Sequence, residues 1–363
     1  ISAGWSQMKG LEDPILQLAL PLGISFFTFQ QIGFLADAYK GEVGACSLRE
    51  YVLFVSFFPY VSSGPIVNAQ EMLPQYRQIG RQRLDWVKFS GGLYLFALGL
   101  SKKVLLADTF GKAVDAGYGN VAGLSGTDAW LVMLFYTLQL YFDFSGYCDM
   151  GRGIAHMLGM ELPVNFDSPY KASNIIEFWK RWHITLNRFL RKYVYIPLGG
   201  NRCSPARHIF NLLAVWTLTG FWHGANWTFM AWGLYFGVLL ILEKKFLAEW
   251  ITRLPSVLQH LYALFFIVIG WGFFRSDSMG LAVQYLGSMF TSTVPLNRFV
   301  IEYLLRFWPY LLFGVVLSAP VFPRLKSTRI WRVLEFPVLA VLFTLCLMRL
   351  LASSYNPFIY FRF

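Results

Sequence analysis

Residues 177–202 read EFWKRWHITLNRFLRKYVYIPLGGNR, and residues 219–233 read TGFWHGANWTFMAWG. Each stretch holds one histidine, His183 or His223, among tryptophans and apolar residues, and the whole chain has only 5 histidines. A titratable side chain in an apolar setting carries a desolvation cost, which is typical of a functional site. We therefore interpret the rest of the chain as a scaffold that holds these two histidines in a membrane.

The composition predicts a polytopic membrane protein. Of the 363 residues, 56% are hydrophobic and only 14% are charged, whereas a soluble domain carries about 25% charged residues. The formal net charge of +11 is expected in cytoplasmic loops and against anionic lipid headgroups. Nucleic-acid binding is the weaker alternative, because the basic residues lie between apolar segments.

The hydropathy pattern predicts an all-α fold of about eight to eleven membrane segments, some of them too short to cross a bilayer. No internal repeat or second domain is visible, so residues 1–363 are expected to form a single membrane-embedded domain. Glycine-rich residues 111–128 are expected to form a loop. The predicted apolar segments are 14–39, 50–61, 89–107, 129–147, 208–222, 226–242, 256–274, 302–322 and 331–351.

The stretch around His183 is basic and aromatic at once, which is typical of an interfacial or re-entrant helix. At helical spacing, Trp179, His183 and Asn187 would share one face. Only Glu177 opposes the basic residues within this stretch. Those residues are Lys171, Lys180, Arg181, Arg188, Arg191, Lys192, Arg202 and Arg207.

Other charged residues have simpler interpretations. Asp143 and Asp149, within reach of Arg152, are expected to be paired carboxylates at a helix end rather than catalytic groups. Lys102 and Lys103 are expected to extend to the membrane interface. The chain shows no metal-ligand spacing, and its isolated cysteines are expected to be free thiols. They are Cys46, Cys148, Cys203 and Cys346.

The two histidines suit acid–base chemistry. They lie 40 positions apart, which fits two elements that meet in a bundle. A neutral imidazole can take the proton of a hydroxyl as that hydroxyl attacks an acyl thioester. A second imidazole, or Asn187, could orient the base or donate a hydrogen bond to the developing oxyanion. The alternative is that each histidine only satisfies a buried backbone group. Motifs for ATP, nicotinamide and zinc-hydrolase chemistry are absent from the sequence.

Several stretches together resemble the membrane-bound O-acyltransferase family, and most of all its bacterial alginate O-acetyltransferase branch. The similarity covers essentially the whole chain, although Cys148 stands where a serine is common. The stretches are PLGISFFTFQ (21–30), SFFPYVSSGPIV (56–67), QLYFDFSGYCDM (139–150), residues 162–202 with W-H-x-T-L-x-R-F-L, FWHGANWTFMAWG (221–233) and YNPFIYFRF (355–363).

This resemblance implies a helical bundle around a tunnel, with His223 as the catalytic histidine and His183 as the second motif histidine. It implies transfer of an acetyl group from a cytoplasmic donor such as acetyl-CoA, with no bound cofactor. The acceptor would be an exported, alginate-like polysaccharide, reached directly or through a partner of the SGNH-hydrolase type. Family members usually begin with further membrane segments, so this chain is expected to lack its N-terminal ones.

The sequence therefore predicts a multi-pass O-acetyltransferase of the bacterial inner membrane. His223 is the expected general base, and His183 is expected to position substrate or assist. Four further residues are expected to line the substrate pocket. Transfer of D-alanyl groups or acetylation of peptidoglycan are alternatives within the class, and a transporter of the polymer or its precursor is the alternative from another class. The four pocket residues are Trp179, Asn187, Trp222 and Asn226.

Overall fold

The computed structural model describes residues 23–79, 83–291, 298–319 and 328–352. Within these ranges the chain is helical and forms no β-strand, which confirms the all-α prediction; one isolated bridge joins Phe166 to Trp182. Residues 14–22 of the first predicted span and the aromatic tail, 355–363, lie outside the described residues. The helices are α1 (Ile24–Tyr39), α2 (Leu48–Ser56), α3 (Phe58–Val61), α4 (Ala69–Ile79), α5 (Trp86–Ser101), α6 (Asp108–Tyr118), α7 (Gly126–Met157), α8 (Ile175–Arg181), α9 (Ile184–Leu190), α10 (Pro205–His223), α11 (Trp227–Leu242), α12 (Ala248–Arg253), α13 (Ser256–Arg275), α14 (Met279–Thr291), α15 (Arg298–Ser318) and α16 (Arg329–Ala352).

Helix α7 is the central element, with 32 residues. It begins with a capping box, in which the Ser125 hydroxyl accepts from the Asp128 backbone N–H while the Asp128 carboxylate accepts from the Ser125 backbone N–H. Its glycines allow α5 to approach very closely. A Cβ atom built on Gly92 would lie 2.5 Å from the carbonyl oxygen of Gly153. A Cβ atom built on Gly99 would lie at the same distance, 2.5 Å, from the carbonyl oxygen of Gly146. Small residues therefore set the spacing of this helix pair.

The prediction of a loop at 111–128 is wrong over its first half. Residues up to Tyr118 continue α6, and α7 already begins at Gly126. The glycines of α6 serve packing rather than a turn. A Cβ on Gly117 would lie 2.5 Å from a methyl carbon of Val132 on α7. A glycine-rich composition therefore marks a close helix contact here.

Lys102 and Lys103 pair with carboxylates of the protein, and their extension to the membrane interface stays a prediction. Both belong to a π-helical segment, Lys102–Ala107, between α5 and α6. Lys102 lies 2.5 Å from Asp149, and Lys103 lies 2.7 Å from Asp143. Burial in protein rather than lipid makes pairing with a carboxylate the favourable arrangement for these ammonium groups. The expected pairing of the two carboxylates is confirmed, although their main partners are lysines rather than Arg152. Their expected position at a helix end is wrong, because α7 continues to Met157.

Three helical segments among the described residues are long and apolar enough to cross a bilayer: Trp86–Tyr118, Ser256–Arg275 and Val333–Ala352. The total of about eight to eleven membrane segments and the single domain stay predictions. Helix α14 lies in a region where no element was predicted. The four cysteines are free thiols, as expected.

The basic stretch of residues 171–207 is less electropositive in the fold than in the sequence. Arg188 makes two contacts with Glu71, at 2.6 and 2.9 Å. Lys192 lies 2.8 Å from both Asp37 and Glu42. Elements distant in sequence therefore supply the carboxylates that the stretch itself lacks.

Candidate active site

His183 lies at a break between two short helices. Helix α8 ends at Arg181, Trp182 is extended, and His183 has a left-handed backbone, with φ 47° and ψ 51°, before α9 begins at Ile184. The prediction of one continuous helix face with Trp179, His183 and Asn187 is therefore wrong. A non-glycine residue in this conformation is uncommon. The conformation costs free energy and persists only where the surrounding structure holds the residue in place.

A short segment of the preceding loop holds this break in place. The Ile184 backbone N–H donates to the Asn165 carbonyl oxygen at 3.0 Å, and the Asp167 N–H donates to the Arg181 carbonyl oxygen at 3.0 Å. Between these bonds lies the Phe166–Trp182 bridge. The loop thus pairs with the break as a short antiparallel ribbon.

Helix α8 is fixed at its start by a carboxylate from another helix. Glu243 follows directly after α11 and is only 1% exposed. Its two oxygens accept from the backbone N–H groups of Ile175 and Ile176, at 2.8 and 2.9 Å. A carboxylate at a helix N-terminus satisfies two of the free N–H groups and interacts favourably with the helix dipole. Glu243 therefore positions the helix that leads to His183.

His183 itself is held by polar contacts. Its Nδ1 lies 3.3 Å from Oδ1 of Asn165, which is 1% exposed. The same Oδ1 accepts from the Thr185 backbone N–H at 3.1 Å and from the Thr185 hydroxyl at 2.9 Å. The Asn165 amide nitrogen donates to the Cys148 sulfur at 3.3 Å. Asn165 thus connects the histidine to the centre of α7.

His223 is the last residue of α10, and its surroundings are aromatic. Ring centroids of Trp222, Trp232 and Phe274 lie 4.8, 5.0 and 5.1 Å from its own. Helices α10 and α11 approach closely beside it, because a Cβ on Gly220 would meet the backbone carbonyl of Phe229. The junction predicted at this histidine is confirmed.

The two histidines line one cavity. It is enclosed mostly by aromatic rings, and its volume of about 10 Å³ is close to what one water molecule needs. His183 is 2% exposed and His223 is 8% exposed. Larger substrates can enter only if the wall side chains move. The lining residues are Trp179, Trp182, His183, Leu186, Thr219, His223, Trp232, Trp271 and Phe274.

The predicted pocket residues divide into two groups. Trp179 lines the cavity, and Trp222 packs edge-on against both histidine rings, at 6.0 and 4.8 Å. Asn187 instead donates to the Trp179 carbonyl oxygen at 2.7 Å. Asn226 caps α11 through the Thr228 N–H at 3.1 Å and donates to the Asp277 carbonyl oxygen at 2.9 Å. Neither amide is among the cavity-lining groups.

Four buried polar atoms of cavity residues have no hydrogen-bond partner within the described part of the chain: Nε1 of Trp179, Nε1 of Trp232, Nε1 of Trp271 and Nε2 of His183. Such atoms are rare in folded proteins, and each calls for an explanation. Three indole donors and one imidazole nitrogen on the same cavity suit a ligand that carries both an acceptor and a donor.

Sequence reasoning missed Asn165, Thr185 and Glu243. Glu243 stands among charged residues at the end of an apolar run, which looks like an ordinary helix terminus. Asn165 stands in a turn-rich loop, where asparagine is common for local reasons. Neither position carries a local signal of its contact with the site, because those contacts are made across the fold.

The chain also matches known proteins along most of its length. The model of the membrane-bound O-acyltransferase family matches residues 4–274. The chain belongs to this family. It is therefore a membrane protein, and the match includes both histidines. Members of the family need no metal cofactor in general, and within the described ranges no three His, Cys, Asp or Glu side chains are placed to hold a metal ion.

Three relatives illustrate the range of the family. A peptidoglycan O-acetyltransferase of Helicobacter pylori is 43% identical over 302 residues, 76% of this chain and 57% of the relative. A probable alginate O-acetylase of Pseudomonas putida is 35% identical over 379 residues, 98% of this chain and 77% of the relative. A teichoic acid D-alanyltransferase of Streptococcus thermophilus is 29% identical over 63% of this chain. The chain spans little more than half of the Helicobacter protein.

Proposed function

We propose that this protein transfers an acetyl group from a thioester donor to a hydroxyl of a cell-envelope glycan. The observation that carries the proposal is that His183 and His223, from separate helices, line one buried cavity. The choice of acetyl rests on the two relatives at 43% and 35% identity, both named for acetyl transfer. D-alanyl transfer is less favoured, because that relative is only 29% identical.

The chemistry needs one proton acceptor and a dry site. The hydroxyl oxygen attacks the carbonyl carbon of the thioester, and an imidazole takes the hydroxyl proton. The tetrahedral intermediate then expels the thiolate, which takes up a proton and leaves as the thiol. We assign the general base to His223, because it ends a long helix in an aromatic enclosure that favours a neutral imidazole. His183 assists it, and Trp179 and Trp222 form walls of the substrate site.

The indole donors suit the carbonyl end of the donor. A negative charge develops on the carbonyl oxygen in the transition state, and hydrogen-bond donors already in place stabilise it most strongly. Nε1 of Trp179, Nε1 of Trp232 and Nε1 of Trp271 are buried on cavity residues and have no hydrogen-bond partner in the described structure. We propose that at least one of them binds this oxygen. Asn187 and Asn226 keep only a supporting role in this proposal, because their amides are engaged elsewhere.

The acceptor has two candidates of the same chemical class. An alginate-like exported polysaccharide follows from the relative that matches 98% of this chain. Peptidoglycan follows from the relative with 43% identity. We propose acetyl-CoA as the donor, an SGNH-hydrolase-type protein as the partner that passes the group on, and the bacterial inner membrane, crossed several times, as the location.

The test is transfer of labelled acetyl groups from acetyl-CoA by membranes that contain the protein. Alginate and peptidoglycan are supplied as separate acceptors, with and without the partner. We expect label in one polymer with the wild type, and none with His223→Ala. His208→Ala is the matched control, because His208 lies on the same helix α10 but contacts Tyr195, at 3.0 Å. This control should transfer at the wild-type rate.

Three outcomes contradict the proposal or a part of it. Equal transfer by wild type and His223→Ala at equal protein levels would show that His223 is structural. Absence of label with the wild type, while polymer still crosses the membrane only in its presence, would favour a transporter. Label that appears only with a D-alanyl donor would move the protein to the other branch of the family.

A further inference from the structure

The hydrogen bonds around Asn165 fix the orientation of its amide. Backbone N–H groups can only donate, so the atom that lies 3.1 Å from the Thr185 N–H must be the amide oxygen. The Thr185 hydroxyl agrees with this, because its oxygen accepts from the Ile66 N–H at 3.0 Å and its hydrogen is free to point to Asn165. The amide nitrogen then faces the sulfur of Cys148, which can accept.

The fixed amide in turn fixes the proton on His183. Its Nδ1 faces the Asn165 oxygen at 3.3 Å. An Nδ1 that carries the proton donates to this oxygen, whereas a bare Nδ1 would place two lone pairs against each other. A neutral imidazole has one proton, so Nε2 is then the bare nitrogen. Nε2 is the atom of His183 that is buried without a partner in the described structure.

We propose that Asn165 is a positioning residue that holds His183 as the Nδ1–H tautomer and so presents a bare Nε2 to the cavity. This inference rests on the proposed acyl transfer. In that reaction the hydroxyl proton moves onto an imidazole, and positive charge builds up in the cavity. A bare Nε2 accepts a hydrogen bond from the group that carries this proton and stabilises the charge. A His183 that carries its proton on Nε2 could not accept this hydrogen bond.

The same inference implies that other residues donate the hydrogen bond to the developing oxyanion. A bare Nε2 cannot donate to the developing oxyanion, so His183 is not the oxyanion donor while it is neutral. That task falls to the indole N–H groups of Trp179, Trp232 and Trp271. The site then contains a proton-accepting side, built on the histidines, and a hydrogen-bond-donating side, built on the tryptophans.

The first test reads the tautomer and needs no substrate. The protein is labelled with ¹⁵N-histidine and reconstituted in lipid, and the His183 signals are assigned by their loss in His183→Gln. Protonated and bare ring nitrogens have well-separated shifts. We expect a protonated Nδ1 in the wild type and a mixture of tautomers in Asn165→Leu. A proton on Nε2 in the wild type would overturn the inference, whatever the protein catalyses.

The second test reads turnover. Asn165→Leu should lower kcat about 10-fold with little change in KM for the donor, because a mixture of tautomers leaves a bare Nε2 in only part of the protein, and complete loss of an assisting group costs about 100-fold. Asn165→Asp keeps an acceptor for Nδ1–H, so it should restore part of kcat. It should also move the acid limb of the pH–rate profile to higher pH, because a carboxylate stabilises a protonated imidazole. The titratable groups next to His183 are His223 across the cavity and Cys148 behind Asn165. The charged groups beside Cys148 are Asp149, Arg152 and Lys102.

The matched control is Asn211→Leu. Asn211 is also a buried asparagine, 0% exposed, but it donates to the Gly200 carbonyl oxygen at 3.1 Å, away from the cavity. Equal kcat losses in Asn165→Leu and Asn211→Leu, with no rescue by Asn165→Asp, would reduce Asn165 to a folding residue. A wild type that shows the expected tautomer but transfers no acyl group would contradict the proposed function and leave the assignment of the tautomer standing.

Discussion

The two histidines reach the same cavity by different physical means. His183 lies between two seven-residue helices, in a strained backbone conformation, and is held by hydrogen bonds from a distant loop. His223 lies at the end of a 19-residue helix and is held by aromatic packing. Polar contacts fix a ring in orientation and protonation, whereas packing fixes its position. The orientation and protonation of His183 therefore depend on a few hydrogen bonds, whereas the position of His223 depends on aromatic packing.

The largest expected effect comes from removing either ring. Residues that act as a unit show strongly non-additive losses. We expect His223→Ala to lower turnover about 1,000-fold, His183→Ala about 100-fold, and the double variant no further than the worse single variant, since one proton-transfer step is lost in each case. Labelled acetyl transfer at equal protein level measures all three. Losses that simply multiply would show that the two histidines serve separate steps.

The next largest effect should come from Glu243, which acts on the helix that leads to His183. Glu243→Leu leaves the Ile175 and Ile176 N–H groups buried without acceptors, so we expect a loss of about 2 to 4 kcal/mol in the free energy of unfolding. Turnover should fall with it, because α8 leads directly to His183. Thermal unfolding in detergent and acetyl transfer measure the two effects. Glu249→Leu is the control, since this carboxylate is 90% exposed and 3.8 Å from Arg253.

An intermediate effect should act on His223 alone. Gly220→Ala places a methyl group against the Phe229 carbonyl, so α10 and α11 must move apart. We expect a loss of about 1 to 3 kcal/mol in stability and a lower kcat, while the ¹⁵N signals of His183 stay unchanged. Gly287→Ala on α14, where a Cβ meets nothing within 4 Å, should be neutral or slightly stabilising. Shifted His183 signals in Gly220→Ala would mean that the two histidines are mechanically coupled.

The smallest effect should come from Asn226. Asn226→Ala removes the cap of α11 and should cost about 1 kcal/mol of stability, with at most a few-fold change in turnover. Asn226→Ser, which can still cap the helix, is the control and should recover the melting temperature. A loss of turnover in Asn226→Ala as large as that in His183→Ala, at unchanged stability, would return this residue to the substrate site.

The two histidines also differ in how well the sequence predicts the structure around them. The site of His223 depends on local signals, an apolar run that ends at His-Gly with an Asn cap behind it, and its junction was predicted. The break at His183 was not predicted, because the sequence W-H-I-T is compatible with a helix. Only the contact with the loop at Asn165 selects the left-handed backbone. The partners of Lys102 and Lys103 on α7 were not predicted for the same reason, since Asp149 and Asp143 lie 47 and 40 positions away in sequence; only Asp108, a second partner of Lys103, is near.

The π-helical segments of the backbone bear on how relatives of this chain can differ in length. The described residues include three π-helical segments, Lys102–Ala107 and Glu243–Leu247 between two helices and Arg191–Tyr195 at the end of α9, and each contains two adjacent cationic side chains. A π turn holds one residue more than an α turn. Deleting a single residue there would restore a regular α turn and leave the side chains that follow nearly in phase, whereas the same deletion within a regular α-helix would rotate them by about 100°. A gap of one residue is therefore a smaller structural change at these segments than elsewhere in the helices.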